Sequence, residues 1–440
     1  MSPNQHPTRP VRPIIAILAG IAVAACSGKA PPTVAPSAAV ERPAAVASQS
    51  VPSPDDSGLM IGRSGDDGLQ LILAGSGERI FAVPAGVPGR DWSQLVSAAV
   101  TGTSTTIRDL KLPEMESSSQ TIDGTWRLPT VGLDPTPVGV SDDGGTIVLV
   151  EVSRATTGPS RFAIVDRTAA APPRFVELAG EFEYDTLSPD GSILYVVEHL
   201  PGPPDGHYQV RALDTATGVL REGAVADKNE GDEAMAGWPI AQVRRPDGMV
   251  FTLYHGVEHP FIHALSSVEA WALCIDLPAT GANDTAAASD WGLTATIEGR
   301  SIIAANATLG LAADISLPDL AIRRSASFAP SASRVISLAK FGHDVGGEVG
   351  RRIVASPDGS VIYAAGAGGI VSLATSDLSL KSRFLEGVPV DAMAVTVDGG
   401  TIYALVRAGG RIVRLDAGSG KIVGEVPGSG YDRLAAVVPW

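Results

Sequence analysis

The clearest pattern along the chain is a short apolar strand, a tight polar reversal, and a second strand rich in Ile, Leu, Val and Tyr. It recurs as VGVSDDGGTIVLVEV at 138–152, DTLSPDGSILYVVEH at 185–199, AQVRRPDGMVFTLYH at 241–255, RIVASPDGSVIYAAG at 352–366 and AVTVDGGTIYALVRA at 394–408. A worn copy, DWGLTATIEGRSIIAANA at 290–307, carries Glu298-Gly299 where the others have Asp-Gly. Period-two alternation predicts strands. Asp-Gly between them predicts hairpins, because glycine tolerates the positive φ of a tight turn.

The turn glycines Gly144, Gly191, Gly248, Gly299, Gly359 and Gly399 are 40 to 60 residues apart, enough for four strands and their connections per unit. Several units finish alike, as in YQVRALDTATGVL and IVRLDAGSGKIVGEV. The C-terminal YDRLAAVVP at 431–439 aligns with VDAMAVTVD at 390–398, placing Asp432 on Asp391 and Leu434 on Met393. It is a first strand with no second. LQLILAG at 69–75 and RIFAVPAG at 79–86 are later strands with no clear first one. The pattern therefore predicts an all-β fold, a seven-bladed β-propeller in which the C-terminal strand closes the first blade, since radial repetition protects sheet edges. The one candidate for a short helix is RDWSQLVSAAV at 90–100.

The motifs SPDGSILYVV and SPDGSVIYAA resemble the repeats of bacterial YVTN and WD40-like propellers, and SIIAANATLGLAADI at 301–315 is similar to the same repeat. The likeness covers about residues 136–440 and is specific for fold. It implies a superfamily of receptors, scaffolds, assembly factors and some enzymes, so it leaves function to the site.

Upstream of the repeats, Arg9 and Arg12 precede an apolar run from Ile14 to Ala25 and then small residues, the layout of an export signal too short for a comfortable span. Val23-Ala24-Ala25-Cys26 resembles the lipobox of bacterial lipoproteins, which implies that Cys26 carries lipid and is the first mature residue. Residues 26–54 are rich in Pro, Ala and Ser without an apolar face, as expected of a flexible tether. The expected organisation is a signal peptide over 1–25, the lipidated cysteine and tether over 26–54, and the propeller over 55–440. The expected location is extracytoplasmic, anchored to the bacterial cell membrane. Losing Arg9 and Arg12 takes the formal charge from −15 to −17, which disfavours nucleic acid as a partner.

Candidate chemistry is sparse. His255, His259 and His263 are four apart, which on a helix would put three imidazoles on one face. Pro260 lies between the last two, and the segment falls between repeat strands, so a loop or strand edge is expected, with at most a ligand-facing role. His343, beside Asp344, is a further candidate to face a ligand, although neighbours in an extended chain point apart. Asp142 and Asp143 read as turn residues, too few for a calcium shell. Cys274 in AWALCIDL reads as a buried thiol. No nucleophile elbow, Walker loop or Cys-x-x-Cys pair is present, and no catalytic residue, metal or cofactor is assigned. Two functions remain open: a tethered binding or scaffold module with a protein or cell-envelope partner, and an extracytoplasmic propeller enzyme, a hydrolase or lyase, with its site at the mouth of the central channel.

Overall fold

In a computed structural model the described residues run from 57 to 438, apart from 64–67, 90–91, 113, 134–135, 153–157, 202–206, 226–234, 257–258, 279–289 and 331–350. Cys26, the tether, and His343 with Asp344 lie outside the described residues.

The described strands form successive four-stranded antiparallel arrays. Array 1 contains β1 (Gly58–Arg63), β2 (Gly68–Leu73) and β3 (Arg79–Pro84). Array 2 contains β4 (Gly86–Pro88), β5 (Gln94–Thr101), β6 (Ser104–Lys111) and β7 (Glu116–Asp123). Array 3 contains β8 (Trp126–Arg127), β9 (Thr146–Glu151), β10 (Ser160–Asp166) and β11 (Arg174–Leu178). Array 4 contains β12 (Glu181–Leu187), β13 (Ile193–His199), β14 (His207–Asp214) and β15 (Val219–Leu220). Array 5 contains β16 (Met235–Arg244), β17 (Met249–Gly256), β18 (Phe261–Ser266) and β19 (Trp271–Asp276). Array 6 contains β20 (Trp291–Ala295), β21 (Ser301–Asn306), β22 (Leu311–Ser316) and β23 (Ala321–Ser327). Array 7 contains β24 (Ile353–Ala355), β25 (Val361–Gly366), β26 (Gly369–Ala374) and β27 (Leu380–Phe384). Array 8 contains β28 (Val390–Val395), β29 (Thr401–Val406), β30 (Arg411–Asp416) and β31 (Ile422–Glu425). The last strand, β32 (Tyr431–Val438), returns to array 1 and pairs with β1 from Gly58↔Val438 to Arg63↔Tyr431. The fold is all-β, and its C-terminal strand closes the first blade as the repeat alignment requires.

Hydrogen bonding joins these arrays into the expected seven sheets. One of the seven is eight-stranded, because β14 pairs with the start of β16 at His207↔Ala236 and Tyr208↔Met235, so arrays 4 and 5 share a sheet. The array without a counterpart among the sequence repeats is array 2. Its first hairpin places Trp92 at φ 59, donating from its N–H to Gly89 O, where arrays 3 to 8 use the turn glycine. That substitution hides the repeat. The helix expected at 90–100 is instead strand β5, whose Leu95 and Val96 are buried against neighbouring arrays, so packing overrides local propensity.

The first hairpins of arrays 3, 4, 7 and 8 share a hydrogen-bonded design. In Ser356-Pro357-Asp358-Gly359-Ser360, the Ser356 hydroxyl donates to Asp358 Oδ1 at 2.6 Å, the Ser360 N–H donates to the same oxygen at 3.0 Å, and Val361 N–H donates to Ser356 Oγ at 3.0 Å. Hydrogen bonds from Ser356 and Ser360 hold the Asp358 carboxyl down to about 2. Ser188-Asp190 and Thr396-Asp398 repeat this arrangement, and at 141–145 Asp143 takes the role of carboxylate acceptor.

The core lies between arrays. Leu59, Ile61 and Leu434 of array 1 pack with Ala392, Tyr403 and Ile412 of array 8, and similar layers follow around the ring. The connection between Leu128 and Val138 breaks the regular pattern: Leu133 N–H donates to Ile240 O at 3.0 Å, so it reaches the innermost strand of array 5. No helix among the described residues is long and apolar enough to cross a membrane.

Candidate functional site at the innermost strands

The innermost strands β12, β16, β20, β24, β28 and β32 line the channel of such a fold. Charged side chains gather where several of them begin. Asp290 immediately precedes β20 and Arg352 immediately precedes β24, while Asp391 and Asp432 are the second residues of β28 and β32. Bulges at Asp391 and Asp432 take these residues out of the regular ladder.

Asp290, Arg352, Asp391 and Arg407 form one chain of charges across arrays 6, 7 and 8. Asp290 Oδ2 accepts from Thr308 Oγ1 at 2.5 Å and from Ala367 N–H at 3.0 Å, while Oδ1 pairs with Arg352. Arg352 Nη2 lies 3.9 Å from Asp391 Oδ1, and Arg407 grips Asp391 through Nη2 at 2.6 Å and Nε at 2.9 Å. Burial decreases along this chain. The Arg352 and Asp290 side chains are 5% and 6% exposed, against 17% for Asp391 and 43% for Arg407. Burial brings the Arg352 guanidinium down to about 10, with Asp391 opposing the shift and Arg407 adding to it. Its Nε has no hydrogen-bond partner among the described residues. The result is a buried ionic support with a solvent-facing Asp391–Arg407 end.

A second polar group lies deeper, between arrays 4 and 5. Asp185 sits at a bulge in β12, and Gln242 Nε2 donates to its Oδ1 at 3.2 Å and to Thr252 Oγ1 at 3.0 Å. Asp185 is 2% exposed, and desolvation pushes its carboxyl up to about 7 despite Gln242 and Arg244. Arg244 is directed to Leu187 O and Val140 O, and pairs with Asp142 at 3.2 Å.

The three histidines of array 5 do not converge. His255 is near the end of β17, where Nδ1 is 2.9 Å from Gly256 O and the ring meets half-exposed Trp238 edge-on at 6.2 Å. His259 lies in the hairpin between β17 and β18 and pairs with Asp276 at 2.8 Å. His263 is buried in β18, opposite Thr252 and beside Tyr254, on the other face of the sheet from His255. The segment is a hairpin, so the helical spacing has no spatial counterpart. Among the described residues no group of three or more His, Cys, Asp or Glu side chains is placed to hold a metal. Cys274, expected to be buried, is only partly so: Sγ lies 3.7 Å from Met235 Sδ, at the edge of the cluster of Val197, Tyr208, Tyr254 and Phe261 between arrays 4 and 5.

A cleft of ≈ 310 Å³ lies between the turns of arrays 7 and 8, lined by Asp358, Asp398, Lys381, Tyr363 and several serines. Its two carboxylates are already engaged by turn hydroxyls and amides, which leaves it less to offer a ligand than the channel end.

Sequence reasoning did not single out Asp290, Arg352, Arg407, Asp185 or Gln242. The usable signal was the alignment of Asp432 on Asp391, which marks the start of an innermost strand as a charged column.

No family model matches the chain, and no curated protein is significantly similar to it in sequence. Among solved structures, dihydro-heme d1 dehydrogenase NirN in complex with DHE is similar with a TM-score of 0.51 at 13% identity, covering 88% of this chain and 75% of that one. Apo AztD from Citrobacter koseri is similar with a TM-score of 0.50 at 12% identity, covering 87% of this chain and 97% of that one. At such identities these likenesses speak to fold alone, and with the sheet topology they define a β-propeller-like protein.

Proposed function

We propose that the protein is an extracytoplasmic propeller enzyme, held to the membrane by lipid on Cys26, that acts on a small polar molecule at the channel end of arrays 6 to 8. The observation that carries this reading is the Asp290–Arg352–Asp391–Arg407 chain, rigid at its buried end and open at Asp391 and Arg407. A guanidinium and a carboxylate held by buried partners can orient a substrate carboxyl, ester or lactone and polarise it, which suits hydrolase or lyase chemistry. That NirN, a dehydrogenase, is a structure of comparable topology is compatible with chemistry on this fold.

The full-length protein, purified in detergent, is screened against sugar lactones, carboxylic esters, phosphate esters and small hydroxy acids, with melting temperature and product formation both followed. Turnover of one class, with stabilisation by its product, supports the reading. Stabilisation without turnover favours the second reading, a tethered binding module. No response from any class removes the small-molecule reading and leaves a scaffold for a protein or cell-envelope partner.

A further inference from the structure

Arrays 4 and 5 meet differently from the other pairs. At one place β14 and β16 are joined by a two-residue ladder, His207↔Ala236 and Tyr208↔Met235. Nearer the channel, Gln242 of β16 reaches Asp185 of β12 and Arg244 reaches Leu187 O, while farther out Ile193 and Tyr195 pack on Val250 and Leu265. The carboxyl is completely buried, only one of its oxygens is met by Gln242, and Oδ2 has no hydrogen-bond partner among the described residues. Thr186 Oγ1 beside it is likewise buried without one. A carboxylate needs several donors when cut off from water, and this site supplies one neutral amide. A carboxylic acid fits better, since protonation removes the charge that burial penalises.

We propose that Asp185 makes the seam between arrays 4 and 5 a proton-dependent latch, shut while its carboxyl is neutral and loosened as that carboxyl ionises. The charged and titratable groups around it support this assignment. Tyr184 from β12 and Tyr195 from β13 are pushed up to about 12 by burial, and burial raises Tyr208 of β14 and Tyr254 of β17 well above their ordinary range, so all four stay neutral through the physiological range. Arg244 from β16 is committed to Leu187 O, Val140 O and Asp142. His263 of β18, across Tyr254, is the other titratable group whose protonation has to be separated from that of Asp185.

The sign follows from linkage. Asp185 holds its proton in the closed seam up to about pH 7, whereas a solvated aspartate releases it near pH 3.8. Opening therefore becomes about tenfold more favourable per pH unit as pH rises between these values, and levels off above the higher one. The latch does not depend on the proposed catalytic reading, because Asp185 is separate from the Asp391–Arg407 end.

Hydrogen exchange on the full-length protein, corrected for the intrinsic pH dependence of exchange, tests this at pH 5 to 8. Peptides covering β12 and β16 are expected to lose at least tenfold protection from pH 5 to 7 while β25 and β29 hold steady, and Asp185→Asn is expected to abolish the dependence. Gln242→Met, which keeps the acid but removes the bond favouring its ionised form, is expected to move the plateau to higher pH. It serves as the decisive variant if Asp185→Asn does not fold. Constant protection in the wild type, an unchanged pH dependence in Asp185→Asn (which would point to His263), or an unmoved plateau in Gln242→Met overturns the proposal.

Discussion

Removing Tyr431–Trp440 takes away the innermost strand of array 1, and the structure allows the loss to be sized. Tyr431 and Leu434 are each 2% exposed and Val438 is 8% exposed, all three within the core. At about 1.5–3 kcal/mol for each buried side chain of this kind, their burial amounts to roughly 5–9 kcal/mol, which is comparable with the whole stability of an ordinary domain. The backbone groups of β1 from Gly58 to Arg63 lose their ladder partner as well, and the face of β28 toward array 1 is uncovered. The expected outcome is loss of cooperative folding. The graded variant Leu434→Ala should cost about 2–5 kcal/mol and leave the fold intact. Urea unfolding followed by circular dichroism and tryptophan fluorescence measures both. Deleting Ser27–Ser50, within the tether, is the control and should leave the midpoint nearly unchanged. If the C-terminal truncation unfolds cooperatively at a midpoint close to that control, strand β32 does not close the ring and the reasoning fails.

Three further outcomes follow. Gly191→Ala should destabilise the protein by at least about 1 kcal/mol, because the residue has φ +69 and the added methyl would collide with Thr146; thermal melting beside wild type checks it. The Asp358 carboxyl is held at about 2 against an ordinary 3.8, so its contribution is present above pH 4 and lost as pH falls toward 2, and Asp358→Asn should remove that part of the acid sensitivity in an acid titration of unfolding. Cys26→Ser should release the protein from membranes without lowering its melting temperature, as fractionation and mass spectrometry of the N-terminal peptide would show; an unmodified Cys26 or a retained Met1–Ala25 segment would remove the lipid anchor.

The parts of the fold that were legible in the sequence are those where a backbone requirement forces a residue type. The positive φ at Gly144, Gly191, Gly248, Gly299, Gly359 and Gly399 left a readable glycine in each hairpin, and the stray first strand at the C-terminus exposed the closure. Array 2 escaped because Trp92 adopts the same backbone conformation, and a bulky residue there carries no turn signature. The joining of arrays 4 and 5 escaped because a two-residue ladder leaves no pattern. The charged chain was hidden for a different reason: Asp290, Arg352 and Asp391 come from three separate arrays and meet only because the ring aligns the starts of their innermost strands, with Arg407 brought in from the end of β29. Asp185 was illegible as a single residue, since its behaviour depends on burial and on Gln242, 57 positions away. The histidine spacing, conspicuous in the sequence, spans a β-hairpin that turns His255 and His263 to opposite faces.

The central claim is that function resides at the open end of the charged chain, and Arg407→Met tests it most directly. Arg407 is 43% exposed, so its replacement should leave the melting temperature within a degree or two, while Asp391 stays close to Arg352. With the compound class identified by the substrate screen, kcat/KM should fall at least tenfold in Arg407→Met and remain at the wild-type value in Lys381→Met, which alters the cleft between arrays 7 and 8. Full activity in Arg407→Met, or an equal loss in both variants, would contradict the account.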